Sequence, residues 1–173
     1  ALAKAKEFAT RALEIDSSLA EAHTSLGQVL YDADWEWSRS ETEFRKAIEL
    51  NPNYATAHHW LALSLVVQEG TWEEALAQIK IALGLDPLSK AIQISLGAAY
   101  WYAHREQEAI QELEKAIQSD PDYYNFHDYL GMVYSTIGRY EESIAELKKA
   151  TRLGGDLLFP KADLGYVCAK AGK

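Results

Sequence analysis

Residues 123–156 read YYNFHDYLGMVYSTIGRYEESIAELKKATRLGGD, and this stretch of 34 residues contains the pattern on which the rest of the chain is built. Apolar residues recur at helical spacing on both sides of Gly138. Glycine readily takes the left-handed backbone conformation that often ends a helix. The stretch therefore predicts two helices, at about 124–137 and 140–153, joined by a short turn.

The same pattern recurs along the chain at spacings of 34 or 35 residues. It shows as a leucine (Leu26, Leu61, Leu96, Leu130, Leu164), a small residue after it (Gly27, Ala62, Gly97, Gly131, Gly165), an alanine (Ala12, Ala47, Ala82, Ala116, Ala150) and a turn residue (Ser17, Pro52, Pro87, Pro121, Gly155). A unit this short cannot bury its apolar face alone, so neighbouring units must stack. The small residues predict close approach of two helices, and we expect Gly131→Leu to destabilise the fold by overpacking.

These positions resemble the tetratricopeptide repeat (TPR), and the resemblance covers almost the whole chain. It implies an all-α fold, a right-handed α-solenoid of helix-turn-helix repeats, in which each repeat has a helix A and a helix B. We expect the following division of the chain: helix B of a truncated repeat at 1–17, repeats at 18–53, 54–88, 89–122 and 123–156, and helix A of a truncated repeat at 157–173.

The two partial repeats, and a first residue that is not methionine, predict a segment of a larger protein. The stretch DWEWSRSETEFRKAIELNPNYATAHHW (residues 34–60) looks like TPR segments that follow signalling or DNA-binding regulatory domains in bacterial proteins. A solenoid needs polar caps at its ends. We therefore expect further repeats on one or both sides, and self-association through exposed ends is the alternative.

The charge of the chain disfavours some partners. Its 26 acidic and 17 basic residues give a formal net charge of −9. Proteins that bind nucleic acid usually carry a basic patch, and an acidic surface repels anionic membranes. No apolar run approaches the roughly 18 residues that a membrane span needs. We expect neither a nucleic-acid nor a membrane partner, and a cytoplasmic location; the acidity can also serve solubility alone.

Catalytic and metal-binding patterns are absent from the sequence. It contains no GxSxG, GxxxxGK[ST] or HExxH motif, and Cys168 is its one cysteine. His23, His58 and His127 share one repeat position, but equivalent residues of stacked repeats lie too far apart to share a zinc ion. We expect these histidines to pack against the preceding helix B. The interpretation is therefore of a protein that is not an enzyme and has no cofactor or metal.

The resemblance implies that helix A lines the concave surface, and there the sequence is unusually apolar and aromatic. We expect a partner-binding groove formed by His59, Trp60, Leu63, Ile94, Ala98, Trp101, Tyr102, Asp128, Tyr129 and Met132. Contiguous apolar surface of this kind usually marks a binding site. The alternative is that Trp60, Trp101 and Tyr102 close over one another as packing residues.

The predicted function is protein–protein interaction, with an apolar or aromatic peptide segment or partner surface in this groove and with Asp128 able to meet a basic residue. The Lys, Asn and Arg residues with which some TPR co-chaperones grip a C-terminal carboxylate are missing from the matching positions, for example Thr24, Gln28 and Ser95. Two alternatives stay open. One is an oligomerisation or spacer element. The other is an array that recruits substrates for an enzyme or regulator whose active domain lies outside the segment.

One aromatic residue does not fit the repeat. Trp37 and Trp72 match the aromatic position of Tyr140, which leaves Trp35 as a surplus aromatic in a turn between helices A and B. It is either a packing residue or an exposed contact.

Overall fold

The computed structural model of the chain describes residues 2–68 and 70–172, and within them the chain forms ten α-helices and no strand. They group into two compact units, unit 1 (1–92) and unit 2 (93–173). Unit 1 contains α1 (Leu2–Ile15), α2 (Ala20–Asp32), α3 (Trp37–Leu50), α4 (Ala55–Val66) and α5 (Trp72–Leu85). The helix α6 (Lys90–Tyr102) lies mostly in unit 2, with α7 (Glu106–Ser119), α8 (Tyr124–Thr136), α9 (Tyr140–Gly154) and α10 (Leu158–Lys170).

The even-numbered helices are helices A and the odd-numbered ones are helices B. In unit 1, consecutive helices pack on one another, and the two helices A, α2 and α4, also touch. In unit 2, α8 packs on α7, α9 and α10, so again a helix A contacts the next helix A. The prediction of an all-α helical repeat is confirmed, and the helices placed at 124–137 and 140–153 differ from the observed ones by one residue at one end.

The turn from helix A to helix B is built around a left-handed residue. Gly70, Gly138 and Gly172 have φ values of +85°, +77° and +69°, at the spacing of the repeat. Trp35 and His104 stand at the same position in their own repeats, each with φ of +56°. A side chain in this conformation costs roughly 1–2 kcal/mol. Trp35 therefore occupies a regular turn position of the repeat, which glycine fills in three of the other turns and histidine in one.

The glycines that follow Leu26, Leu96 and Leu130 bring two helices together. A Cβ added at Gly27 would lie 2.6 Å from Phe44, one at Gly97 would lie 2.6 Å from Leu113, and one at Gly131 would lie 2.7 Å from Leu147. Such distances are too short for two carbons, so only glycine fits these contacts. The core of each unit is built over these contacts, with Phe44 fully buried in unit 1 and Leu147 fully buried in unit 2.

Across residues 2–68 and 70–172, none of the helices has the length and apolar character needed to cross a membrane.

Candidate binding surface on the helix A faces

In unit 1, the predicted groove residues lie on α4. His59, Trp60 and Leu63 are half-buried. The Trp60 ring stacks on Phe44, with centroids 6.2 Å apart and planes 21° apart, and meets the edge of Tyr31 at 6.2 Å. Burial lowers the pKa of His59, so its ring is neutral at physiological pH. Trp60 thus has a packing role within unit 1 and keeps part of its surface accessible.

In unit 2, helices α6, α8 and α10 enclose an open cavity of about 380 Å³. The described residues that line it are Trp101 and Tyr102 on α6, Tyr124, Asn125, Asp128, Tyr129 and Met132 on α8, and Phe159 and Asp163 on α10. All of them belong to helices A. The structure therefore brings together five of the predicted residues: Trp101, Tyr102, Asp128, Tyr129 and Met132.

Two predicted groove residues of unit 2 lie outside this cavity. Ile94 is buried in a cluster with Ala116 and Phe126, and Ala98 is also buried. Their side chains fill space between helices, so they offer little surface to a partner.

The prediction left out Tyr124, Asn125, Phe159 and Asp163, which complete the cavity wall. Asp163 stands at the repeat position of Tyr129 and Trp60, so its place beside the cavity was readable from the spacing. The other three lie one helical turn nearer the start of their helices, where no repeated residue type drew attention to them.

The aromatic rings of the cavity differ in exposure. Trp101 and Tyr102 stack on each other with centroids 5.7 Å apart and planes 29° apart, and Tyr102 is 51% exposed. Phe159 is 79% exposed. Burial, followed by the neighbouring Tyr102 and Asp128, raises the pKa of the Tyr129 hydroxyl, which therefore stays protonated and can donate a hydrogen bond.

Asp128 is the most unusual polar group of the cavity. Only 7% of the residue is exposed, and its Oδ1 has no hydrogen-bond partner among the described residues. Burial, and next the charge of Asp163, raises the pKa of Asp128 to about 6. Burial also raises the pKa of Asp163, against a hydrogen bond from Asp128 that lowers it. The protonated form of the pair thus keeps its proton on Asp128.

A second cavity, of about 370 Å³, lies in unit 1 beside the turn between α2 and α3. Its walls include Tyr31, Asp32, Trp35, Trp37 and Val67. Trp35 is 73% exposed and lies against Trp37, with ring centroids 6.1 Å apart. This side chain therefore adds apolar surface outside the predicted groove.

The repeated histidines link each helix A to the helix B that follows it. The Nδ1 of His127 lies 2.6 Å from Oε2 of Glu146, and its Nε2 lies 2.8 Å from the Pro121 carbonyl oxygen. His23 contacts Glu43 and the Ser17 carbonyl in the same way. His58 contacts Gln78 and the Pro52 carbonyl. Each ring therefore joins its own helix B to the turn that follows the preceding helix B, and the expected packing against that preceding helix stays a prediction.

Within the described residues, no group of three His, Cys, Asp or Glu side chains lies close enough to hold a metal ion.

The architecture is that of an α-helical repeat protein with a cavity between helices A that is large enough for a ligand. A profile of the tetratricopeptide repeat matches residues 36–90, 66–124 and 94–157, which together span well over half of the chain. The chain belongs to the tetratricopeptide repeat family, as the sequence pattern predicted. Proteins of this fold generally serve as non-catalytic scaffolds for protein interaction.

Solved structures agree with this assignment. The chain superposes on TTC0263, a thermophilic TPR protein of Thermus thermophilus, with a TM-score of 0.82 and 18% identity, covering 95% of this chain and 89% of that one. It is similar to YrrB, a TPR protein with an unusual peptide-binding site, with a TM-score of 0.67 and 20% identity over 95% and 84% of the two chains. It also superposes on PilW, a type IV pilus biogenesis factor, with a TM-score of 0.85 and 17% identity, covering 99% of this chain and 79% of that one.

At these identities the similarities show the fold alone. No curated protein matches the sequence significantly.

Proposed function

We propose that this chain is a protein-binding scaffold that takes a peptide segment or partner surface on the faces of its helices A. The observation that carries the proposal is the cavity of unit 2, whose described lining residues all lie on helices A and are mostly aromatic or apolar. Aromatic side chains bury a large area at low entropic cost, and they dominate binding energy in protein interfaces.

The exposed aromatic rings of the cavity support the binding of a peptide or a protein surface. Phe159 and Tyr102 are 79% and 51% exposed, so the rings stand at the rim of the cavity instead of filling the core. YrrB, which shares the fold, has a peptide-binding site. A peptide that crosses the rim would bury both rings together with Met132.

A quantitative pull-down from lysate, read by mass spectrometry, tests the proposal. Wild type is compared with Tyr102→Ala/Met132→Ala in unit 2, with Trp60→Ala in unit 1, and with Gln111→Ala on the exposed surface of α7 as the matched control. Circular dichroism melting first establishes that each variant is folded, which matters most for Trp60 because it packs on Phe44.

Wild type and Gln111→Ala should capture the same proteins. At least one of the helix A variants should fail to capture them. The variant that loses them tells which unit holds the partner. Equal capture by all four proteins would contradict binding on the helix A faces.

One observation favours a second function, self-association through α10. A Cβ added at Gly165 meets no atom within 4 Å, whereas at Gly131 it would collide with a helix B. Leu158 is 74% exposed on the same helix. The face of α10 can therefore receive a helix B, for example from a second copy of the chain.

Light scattering over a range of concentrations tests this second function. The mass of wild type should rise with concentration, and Gly165→Leu should abolish the rise because the leucine fills the contact. A monomer mass of wild type that stays constant over the concentration range would contradict self-association.

A further inference from the structure

We propose that the cavity between α6, α8 and α10 binds the positively charged side chain of an arginine or lysine in the partner segment. This inference rests on the proposed function and names the chemistry of the residue that the unit 2 cavity selects.

The walls of the cavity suit a cation. The stacked pair Trp101 and Tyr102 and the rings of Tyr124 and Tyr129 present aromatic surface to it. A cation within about 6 Å of an aromatic centroid is attracted by roughly 0.5–2 kcal/mol, and guanidinium groups stack well on such rings.

Unit 2 already uses this contact elsewhere. The guanidinium of Arg139 lies 4.3 Å from the centroid of Tyr134, and that of Arg105 lies 4.9 Å from Tyr100. In the cavity, by contrast, the described lining residues include no lysine or arginine.

Two carboxylates make the cavity negative. Asp128 and Asp163 both line it, on α8 and α10. Only 7% of Asp128 is exposed, and its Oδ1 has no hydrogen-bond partner among the described residues. A buried acceptor left without a donor costs roughly 1–3 kcal/mol, and more when it is charged. A bound ammonium or guanidinium would supply this pair of carboxylates with a hydrogen-bond donor and with an opposite charge.

The unligated pair is electrostatically unfavourable near neutral pH. Because burial raises the pKa of Asp128 only to about 6, its carboxyl is mostly ionised at pH 7, with the carboxyl of Asp163 beside it. Two neighbouring negative charges repel each other. A cation bound between them offsets this repulsion, so the arrangement of charges in the cavity favours a positively charged ligand.

Neutral and anionic side chains fit less well. An apolar side chain in the cavity would cover Asp128 and leave its oxygen unpaired, which sites of this kind reject strongly. An anionic group would be repelled by both carboxylates. The volume of about 380 Å³ lies at the low end of ligand pockets, roughly 300–1,000 Å³, and suits one long side chain better than a whole peptide.

The cavity of unit 1 provides a contrast. Its wall carries aromatic residues too, but its carboxylate, Asp32, is exposed. A solvated carboxylate pays no burial penalty and gains little from an ion pair. The selection for a cation is therefore specific to unit 2, and Asp32→Asn is a matched control for Asp128→Asn.

Random peptides displayed on phage and panned on the purified chain test the proposal. The binders are synthesised in two forms, one with the anchoring arginine or lysine and one with its neutral isostere, citrulline or acetyl-lysine. Their affinities are measured by fluorescence anisotropy on wild type, Asp128→Asn, Asp32→Asn and Tyr102→Ala, each checked for folding by circular dichroism.

We expect selected peptides to carry a basic residue that cannot be neutralised without a loss of affinity of about tenfold or more. Asp128→Asn should cause a similar loss for the charged peptide and little loss for the neutral one, which is the signature of direct coupling in a double-mutant cycle. Asp32→Asn should bind like wild type.

Two results would overturn the inference separately from the proposed function. Peptides that lose affinity on Tyr102→Ala, yet tolerate citrulline and Asp128→Asn, would show that the cavity binds a neutral side chain; scaffold function would stand. Peptides affected by none of the cavity variants would place the site elsewhere. If no peptide binds and the pull-down captures nothing, both proposals fail together.

Discussion

Replacing Asp128 by asparagine should stabilise the protein at neutral pH, although the residue is buried and polar. The side chain keeps its shape in this variant and loses its charge. Asparagine can place its carbonyl oxygen at the position of Oδ1 and donate an amide hydrogen to the carboxylate of Asp163. The variant thus removes the repulsion between two carboxylates without opening a cavity.

The magnitude follows from the pKa. In the folded protein the pKa of Asp128 is about 6, against an ordinary value of 3.8. Each pKa unit corresponds to about 1.4 kcal/mol, so the shift sets a ceiling near 3 kcal/mol. Because the cavity is open to solvent on one side, we expect a gain of roughly 1–2 kcal/mol in the free energy of unfolding above pH 7.

The pH dependence gives the sharper test. A carboxyl whose pKa is raised on folding holds its proton more tightly in the folded state, so wild type loses stability as pH rises from 3.8 through about 6. The asparagine variant has no such loss from this position. The difference between the two should therefore be small near pH 4, grow through pH 6 and level off above pH 7.

Urea unfolding followed by circular dichroism, at several pH values, measures this difference. Asp122→Asn is the control, because this carboxylate is exposed and should change the stability little at any pH. A variant that is less stable than wild type at pH 7, or a difference that does not vary with pH, would refute the reasoning about the buried pair.

Three further predictions concern the repeat itself, and urea unfolding checks each of them. Gly131→Leu should lower the free energy of unfolding by about 3 kcal/mol, because even a Cβ at this position would lie 2.7 Å from Leu147. Gly165→Leu meets open space and should change that free energy by less than about 1 kcal/mol. Equal effects of the two variants would show that close approach of two helices does not explain the small residue. Gly138→Ala should cost about 1 kcal/mol because its φ is +77°, and an unchanged midpoint would argue that the turn relaxes. His127→Ala should cost about 2 kcal/mol through two lost hydrogen bonds, and a loss below about 0.5 kcal/mol would show that solvent replaces them.

The candidate site was only partly predictable. Trp101, Tyr102 and Tyr129 could be placed on helices A because the repeat assigns every residue a helix and a face. Phe159 and Tyr124 could not, since the repeat fixes where a helix runs but not how far the rim of a cavity extends along it. Ile94 fits the same face in the sequence and is nevertheless buried, because neighbouring side chains on another helix cover it.

The sequence by itself determined the fold of this protein. A leucine and a small residue repeated every 34 or 35 positions require helices that stack closely, because no single pair of helices could bury its apolar face. The small residue and the turn glycine act locally, so their effect can be read at Gly131 and Gly138 without coordinates.

Only the tertiary structure decided the chemistry of the cavity. Asp128 and Asp163 lie 35 residues apart and look like ordinary helical carboxylates in the sequence. Their pKa values depend on burial and on each other, and both are properties of how α8 and α10 pack. The repeat predicts which helices are neighbours, but the charge and the unpaired oxygen arise from the distances that packing leaves between their side chains.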